Sequence, residues 1–168
     1  MASVSGLSAK NRVRARDRVV QAAMLGYKNK AQVRYTQGGA RWSGINGKKK
    51  SRSGQFPRYA DCSSYATWCI WNGIFVSFKC RDTVNGASWK AGYTGTMLSH
   101  GKPVRKLANV LRGDCVIYGR PGSKGAHTAI VVGKKNGVPM VISHGSDSGP
   151  HYLPYNYRSD VMQIRRYI

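Results

Sequence analysis

Glutamate is absent from the 168 residues, and the only acids are six aspartates set against 28 lysines and arginines, for a net charge of +22. So unbalanced a chain is drawn to polyanions: nucleic acid, an anionic membrane surface or an acidic wall polymer. The basic residues divide evenly, 14 in residues 1–60 and 14 after, which describes a cationic surface rather than one binding tail. No apolar run approaches the ~18 residues of a membrane-spanning helix. The N-terminal Met1-Ala2-Ser3-Val4-Ser5-Gly6-Leu7 lacks the apolar core of a secretion signal, so a cytoplasmic location is expected. None of the four cysteines forms a Cys-x-x-Cys pair, which argues against structural zinc, and no metal or cofactor is expected. No Walker or dinucleotide glycine pattern offers a nucleotide cradle. With neither an internal repeat nor a linker, one domain over residues 1–168 is expected.

What is present is organised around Tyr59-Ala60-Asp61-Cys62-Ser63-Ser64-Tyr65-Ala66-Thr67-Trp68-Cys69-Ile70-Trp71. Asp61 is a helix N-cap, its carboxylate able to accept from an orphan backbone N–H. Cys62 then takes the first helical position. Free N–H groups and the positive end of the helix dipole favour an anion there, a setting that lowers a thiol pKa. Cysteine is also among the most buried residue types, so packing is the alternative role for Cys62 and the simplest one for Cys69 and Cys115. A Cys69–Cys80 disulfide is left open by the sequence.

Upstream, residues 8–26 read as a helix with Ser8 as N-cap, an apolar face of Val13, Val20, Ala23 and Met24, and Gly26 as its stop. Its arginines form either a solvated surface or a cationic face for an anionic wall, membrane or nucleic acid. Residues 35–57 form a long Gly-, Ser- and Lys-rich loop. The helix from Asp61 is predicted to stop near Asn72-Gly73. Residues 82–100 mix aromatics and glycines, as in a segment lining a groove. Cys115–Tyr118, Ala126–Gly133 and Pro139–His144 read as strands, the last two joined by the Asn136-Gly137 hairpin signal. Residues 145–150 read as a loop, and Met162–Ile168 alternates as a closing strand. Helices followed by an antiparallel meander define an α+β class.

The hairpin brings two histidines to one end of the sheet: His127 begins one strand and His144 ends its partner. If the register gives them one face, they can meet. That suits a relay of Cys62 as nucleophile, His127 as base and His144 orienting His127 through its other ring nitrogen. His100 and His151 fall in loops and are read as non-catalytic, with His151 a candidate substrate contact.

Asp61-Cys62-Ser63-Ser64, Gly113-Asp114 before a strand, Ala126-His127-Thr128-Ala129-Ile130-Val131-Val132-Gly133 and a strand ending in His144 together resemble the NlpC-type cell-wall cysteine peptidases, relatives of the CHAP amidases. Val141–Pro150, Tyr157-Arg158-Ser159-Asp160 and Arg165-Arg166-Tyr167-Ile168 look closer to the peptidase domains of actinobacteriophage endolysins. The resemblance covers residues 55–168 and, more weakly, the N-terminal helix. It implies a papain-like fold with the catalytic cysteine at the start of a helix packed on an antiparallel sheet, a basic helix over 1–30 and a catalytic core over 31–168. It implies a Cys62–His127–His144 triad cleaving peptide or amide bonds of peptidoglycan stem peptides, with Tyr59, Asp61 and Ser63 as pocket or oxyanion neighbours. Ser64 departs from the glycine usual there. The resemblance further implies a monomer that lyses bacteria from within, reaching the wall through a pore-forming partner. Its charge would hold it on peptidoglycan and acidic wall polymers. An N-acetylmuramoyl-L-alanine amidase would use the same triad. From another class, a cationic nucleic-acid-binding or membrane-disrupting protein would use the charge alone.

Overall fold

The computed structural model describes residues 1–168. Its first long element is α1, Ala9–Lys28, with the Ser8 hydroxyl accepting from Asn11 N–H at 3.2 Å, the cap read from the sequence. The buried stripe of α1 differs from the expected one. It consists of Ala15, Val19, Ala22, Ala23 and Gly26, while Val13 is 46% exposed and Val20 and Met24 are only half-buried. The reason is close approach to α3, Cys62–Trp71, a helix buried at all ten positions. Gly26 does not end α1, which runs on to Lys28. A Cβ at Gly26 would lie 2.1 Å from the Tyr65 hydroxyl oxygen, and that hydroxyl donates to the Ala23 carbonyl at 2.7 Å. Gly26 is a contact residue rather than a stop.

Between these helices the chain pairs β1, Arg34–Tyr35, in parallel with β2, Tyr59–Ala60, and forms one short helix, α2, Ser43–Asn46. The long basic loop is thus tied down at both ends. α3 passes at Asn72 into a π-helical turn, Asn72–Val76, instead of stopping at Asn72-Gly73. α4, Thr94–Ser99, follows. All four cysteines are buried free thiols, so the Cys69–Cys80 bridge does not form.

The second half is a six-stranded antiparallel sheet in the order β3-β8-β4-β5-β6-β7. The strands are β3 Lys102–Pro103, β4 Cys115–Tyr118, β5 His127–Lys135, β6 Val138–Ser143, β7 His151–Pro154 and β8 Val161–Arg166. The sequence reading missed β1, β2, β3 and β7, strands of only two to four residues. Alternation sorts the side chains by face. Cys115, Ile117, Ile130 and Ile142 join the core under α1 and α3, and Val116, Tyr118, Ala129, Val131 and Val141 form a second cluster on the other face. The α+β architecture is the one expected, helices packed on an antiparallel sheet.

One irregularity decides the site. From the Asn136-Gly137 turn, Lys135 opposes Val138 and Gly133 opposes Met140, but beyond Val132 the register slips, so that Val131 opposes Val141 and Ala129 opposes Ser143. The extra residue is a β-bulge, and a one-residue slip moves every later side chain to the other face. Without it His144 would oppose Ala129 and share the face of His127. With it Ser143 takes that place.

Replacing Gly26 by Ala tests the α1–α3 contact. In an open helix Ala is favoured over Gly by ~1 kcal/mol, but here overpacking against Tyr65, of ~1–3 kcal/mol, dominates. Urea unfolding is expected to show a net loss of about 1–2 kcal/mol. Gly6→Ala, with no atom within 4 Å of the new methyl, should stay within about 0.5 kcal/mol of the parent. Equal midpoints for the two variants would refute the close contact.

Candidate active site

The N-terminus of α3 is held by reciprocal bonds. Asp61 Oδ1 accepts from Ser64 N–H at 2.8 Å, and the Ser64 hydroxyl oxygen accepts from Asp61 N–H at 2.9 Å, a capping box. Ser64 therefore faces back onto the cap. The Ser63 hydroxyl donates to Asp61 Oδ1 at 3.1 Å and Arg41 Nη1 donates to Asp61 Oδ2 at 2.7 Å. Arg41 also donates to the Gly92 carbonyl at 3.1 Å and lies 5.1 Å from the Trp42 ring centroid. With these three donors on the Asp61 carboxylate and the Ser63 proton committed to it, neither side chain is free as an oxyanion donor. Tyr59 is half-buried in β2, its N–H donating to the Ser43 hydroxyl at 3.0 Å and its ring lying 5.6 Å from the Arg58 guanidinium.

Cys62 lies at the first position of α3, 9% exposed, with the backbone N–H groups of Thr128, Ser63 and Cys62 itself favouring its thiolate. Burial, and after it the Asp61 charge, nevertheless push the thiol up to about 11. The lowered thiol pKa expected from the helix N-terminus is thus not obtained, because desolvation outweighs the dipole and the N–H groups. Cys62 is a thiol, not a thiolate, at neutral pH.

His127, the first residue of β5, is 8% exposed. Its Nε2 lies 2.6 Å from the Ser143 hydroxyl, which is itself 3.1 Å from the Tyr157 hydroxyl. Nδ1 has no hydrogen-bond partner and is the nitrogen left to exchange protons. Burial, then the Arg158 and His144 charges, lower the His127 pKa to about 4, so the ring is a neutral base across the physiological range. No hydrogen bond joins Cys62 to His127; in unliganded sites such bonds are commonly long and tighten on substrate binding.

The expected hydrogen bond from His127 to His144 is not formed. His144 is buried between Tyr35 and Tyr65, ring centroids 5.4 and 5.5 Å away, with Nε2 3.4 Å from the Arg34 carbonyl and Nδ1 unpartnered. The bulge at Val132 is the physical reason, since it puts Ser143 on the face of His127 and His144 on the helix side. Ser143, Tyr157 and Arg41 were missed from the sequence. A parity count from the hairpin would have found Ser143 only with the bulge known. Nothing local marked Arg41, which reaches Asp61 across 20 residues. Tyr35, whose phenol pKa is raised first by burial, is placed by the β1–β2 pairing of Tyr35 with Ala60. His151 begins β7 and bonds Ser148 at 2.8 Å; His100 bonds the Thr96 carbonyl at 2.8 Å.

The sequence matches no family model and no curated protein. Among solved structures the fold resembles NlpC1 from Trichomonas vaginalis, with a TM-score of 0.52 and 20% identity over 96% of this chain and 46% of that one. It also resembles NlpC2 from the same organism, with a TM-score of 0.53 and 19% identity over 96% of this chain and 48% of that one. The chain spans about half the length of each. At this identity the likeness establishes the fold: the papain-like α+β arrangement expected from the sequence.

The protonation state can be read by alkylation. With the thiol pKa pushed up to about 11, the reactive thiolate fraction grows about tenfold per pH unit below it. Iodoacetamide modification of Cys62, located by peptide mass mapping, should rise steadily from pH 6 to 10. A flat rate across that range would instead reveal a preformed thiolate–imidazolium pair.

Proposed function

We propose that the chain is a cysteine hydrolase of peptidoglycan, cutting a peptide bond in stem peptides or cross-links. The observation that carries this reading is a cysteine at the N-terminus of a buried, doubly capped helix, facing the strand whose first residue is a neutral, oriented histidine. NlpC-type folding of the chain agrees with it.

The resting pair is neutral, so attack needs general-base assistance. For Nδ1 of His127 to accept a proton, the ring proton must sit on Nε2 and donate to Ser143. The Ser143 hydroxyl can accept that proton and so can hold the ring in the working tautomer. As Cys62 sulfur adds to the scissile carbonyl, its proton passes to His127 Nδ1. Backbone N–H groups of the first turn of α3 receive the oxyanion. His127 returns the proton to the leaving amine as the C–N bond breaks, leaving a thioester on Cys62. Water, deprotonated by the same Nδ1, then adds to the thioester, and the thiol is regenerated with release of the acid. In this scheme Ser143 is the positioning residue assigned to His144 from sequence, and His144 packs β1 against the sheet.

The uncompensated charge would concentrate the enzyme on acidic wall polymers. An endolysin-like role, with access to the wall through a pore-forming partner, is the biological setting we propose. The amidase alternative uses the same residues and differs only in the bond presented to Cys62.

Digestion of diaminopimelate-type peptidoglycan, with fragments read by mass spectrometry, tests the reading. Wild type should release fragments whose masses separate endopeptidase from amidase, and Cys62→Ala should release none. Fragments from neither protein, across several wall types, would remove it. Ser143→Ala is expected to lower kcat by about one to two powers of ten, part of the roughly 10²–10⁴ that general acid–base assistance contributes. Ser143→Thr, which keeps the hydroxyl, should recover most of that loss.

A further inference from the structure

A cavity of about 710 Å3, away from Cys62, opens beside the far end of α3. Trp71, Phe75 and Trp89 supply its aromatic surface. Five exposed cations line it: Lys48, Lys50, Lys79, Arg81 and Lys90. None of the five has a carboxylate partner. The one acid present, Asp82, is committed to the backbone N–H groups of Val84, Asn85, Ala87 and Trp89.

Two further observations separate this cavity from an ordinary basic surface. Trp89 is 3% exposed and its indole N–H is buried without an acceptor. A desolvated donor left unpaired is costly, and a native structure that keeps one calls for an explanation. Strained backbone is also gathered here. Five non-glycine residues of the chain have positive φ, and four of them, Lys48, Lys79, Ser88 and Trp89, line this cavity; the fifth, Asn136, is the hairpin turn. Such strain persists where the surroundings impose it, and it clusters at binding sites. The π-helical turn carrying Phe75 and Val76 is a further irregularity of the kind found at functional positions.

From these we infer that the cavity is an exosite for an acidic, N-acylated sugar unit of the wall polymer, an inference that rests on the hydrolase reading. Each feature matches one part of such a unit. The half-buried Phe75 ring suits the apolar face of a pyranose ring, the acyl carbonyl supplies the acceptor that the Trp89 N–H lacks, and the carboxylate or phosphate meets the cations. Placement agrees. Cys62 and Trp71 are the two ends of α3, about 14 Å apart at 1.5 Å per residue. A polymer held at the cavity therefore keeps neighbouring repeats within reach of the thiol, which raises its effective concentration there.

Calorimetric titration with the peptide-free disaccharide N-acetylglucosaminyl-N-acetylmuramic acid, which cannot be cleaved, tests this. Chitobiose, which lacks the carboxylate, and an oligothymidylate serve as comparison probes. Wild type should bind the acidic disaccharide more tightly than chitobiose. Trp89→Phe, which keeps the ring and removes the donor, should weaken binding about tenfold. An Arg81→Gln/Lys90→Gln variant, changed only at exposed positions, should lose the preference over chitobiose even if Trp89→Phe fails to fold. Both variants should cut a soluble, sugar-free stem peptide at the wild-type rate. Absence of saturable disaccharide binding, equal binding by the folded variants, or tighter binding of oligothymidylate through the same residues would overturn the proposal. Disaccharide binding without any stem-peptide cleavage would support the exosite and remove the hydrolase reading instead.

Discussion

The ion pair between Arg41 and Asp61 holds the site together. Asp61 is 5% exposed, and a carboxylate so buried must be compensated where it lies. The compensation comes from the Arg41 guanidinium, the Ser64 N–H and the Ser63 hydroxyl. Those same bonds orient the first turn of α3 and so the Cys62 sulfur. Through the Gly92 carbonyl, Arg41 also anchors the loop after Trp89. One buried negative charge thereby joins the long basic loop, the helix and the segment before α4.

The same economy runs through the chain. Five of its six aspartates pair with arginines, and the sixth, Asp82, caps a loop through four backbone N–H groups. No acid is left over to neutralise the surface. Asp114, 1% exposed, shows what this does for the fold: its two oxygens take Arg166 Nε and Nη2, each at 2.8 Å, and fasten the turn before β4 to β8. The excess of positive charge thus lies mostly on the solvated exterior, while the buried carboxylates of Asp61 and Asp114 are matched.

Cys62 and His127 are set by burial rather than by ionisation. Desolvation raises the thiol and lowers the imidazole, so both are neutral at rest. The Ser143 hydroxyl, itself 3.1 Å from the Tyr157 hydroxyl, bonds His127 Nε2 and holds the ring in place. His144 contributes differently, as a buried ring between Tyr35 and Tyr65 that ties the short parallel pair to the main sheet.

Local signals determined a good deal by themselves. The Ser8 and Asp61 caps, the Asn136-Gly137 turn, the strands around His127 and His144, and the place of Cys62 at the first position of a helix follow from short-range bonding, which needs only neighbours in the chain. The α+β class follows from the order of those elements. Other features depend on atoms distant in sequence. Gly26 reads as a helix stop and acts as a contact because Tyr65 lies against it. Arg41 has no local mark because its partner is 20 residues away. The thiol is raised rather than lowered because burial is a property of the packed molecule. The choice between Ser143 and His144 turns on a single bulged residue, Val132. Side-chain alternation has a period of two, so one extra residue reverses the face of all that follows, and only the assembled sheet records where that residue falls.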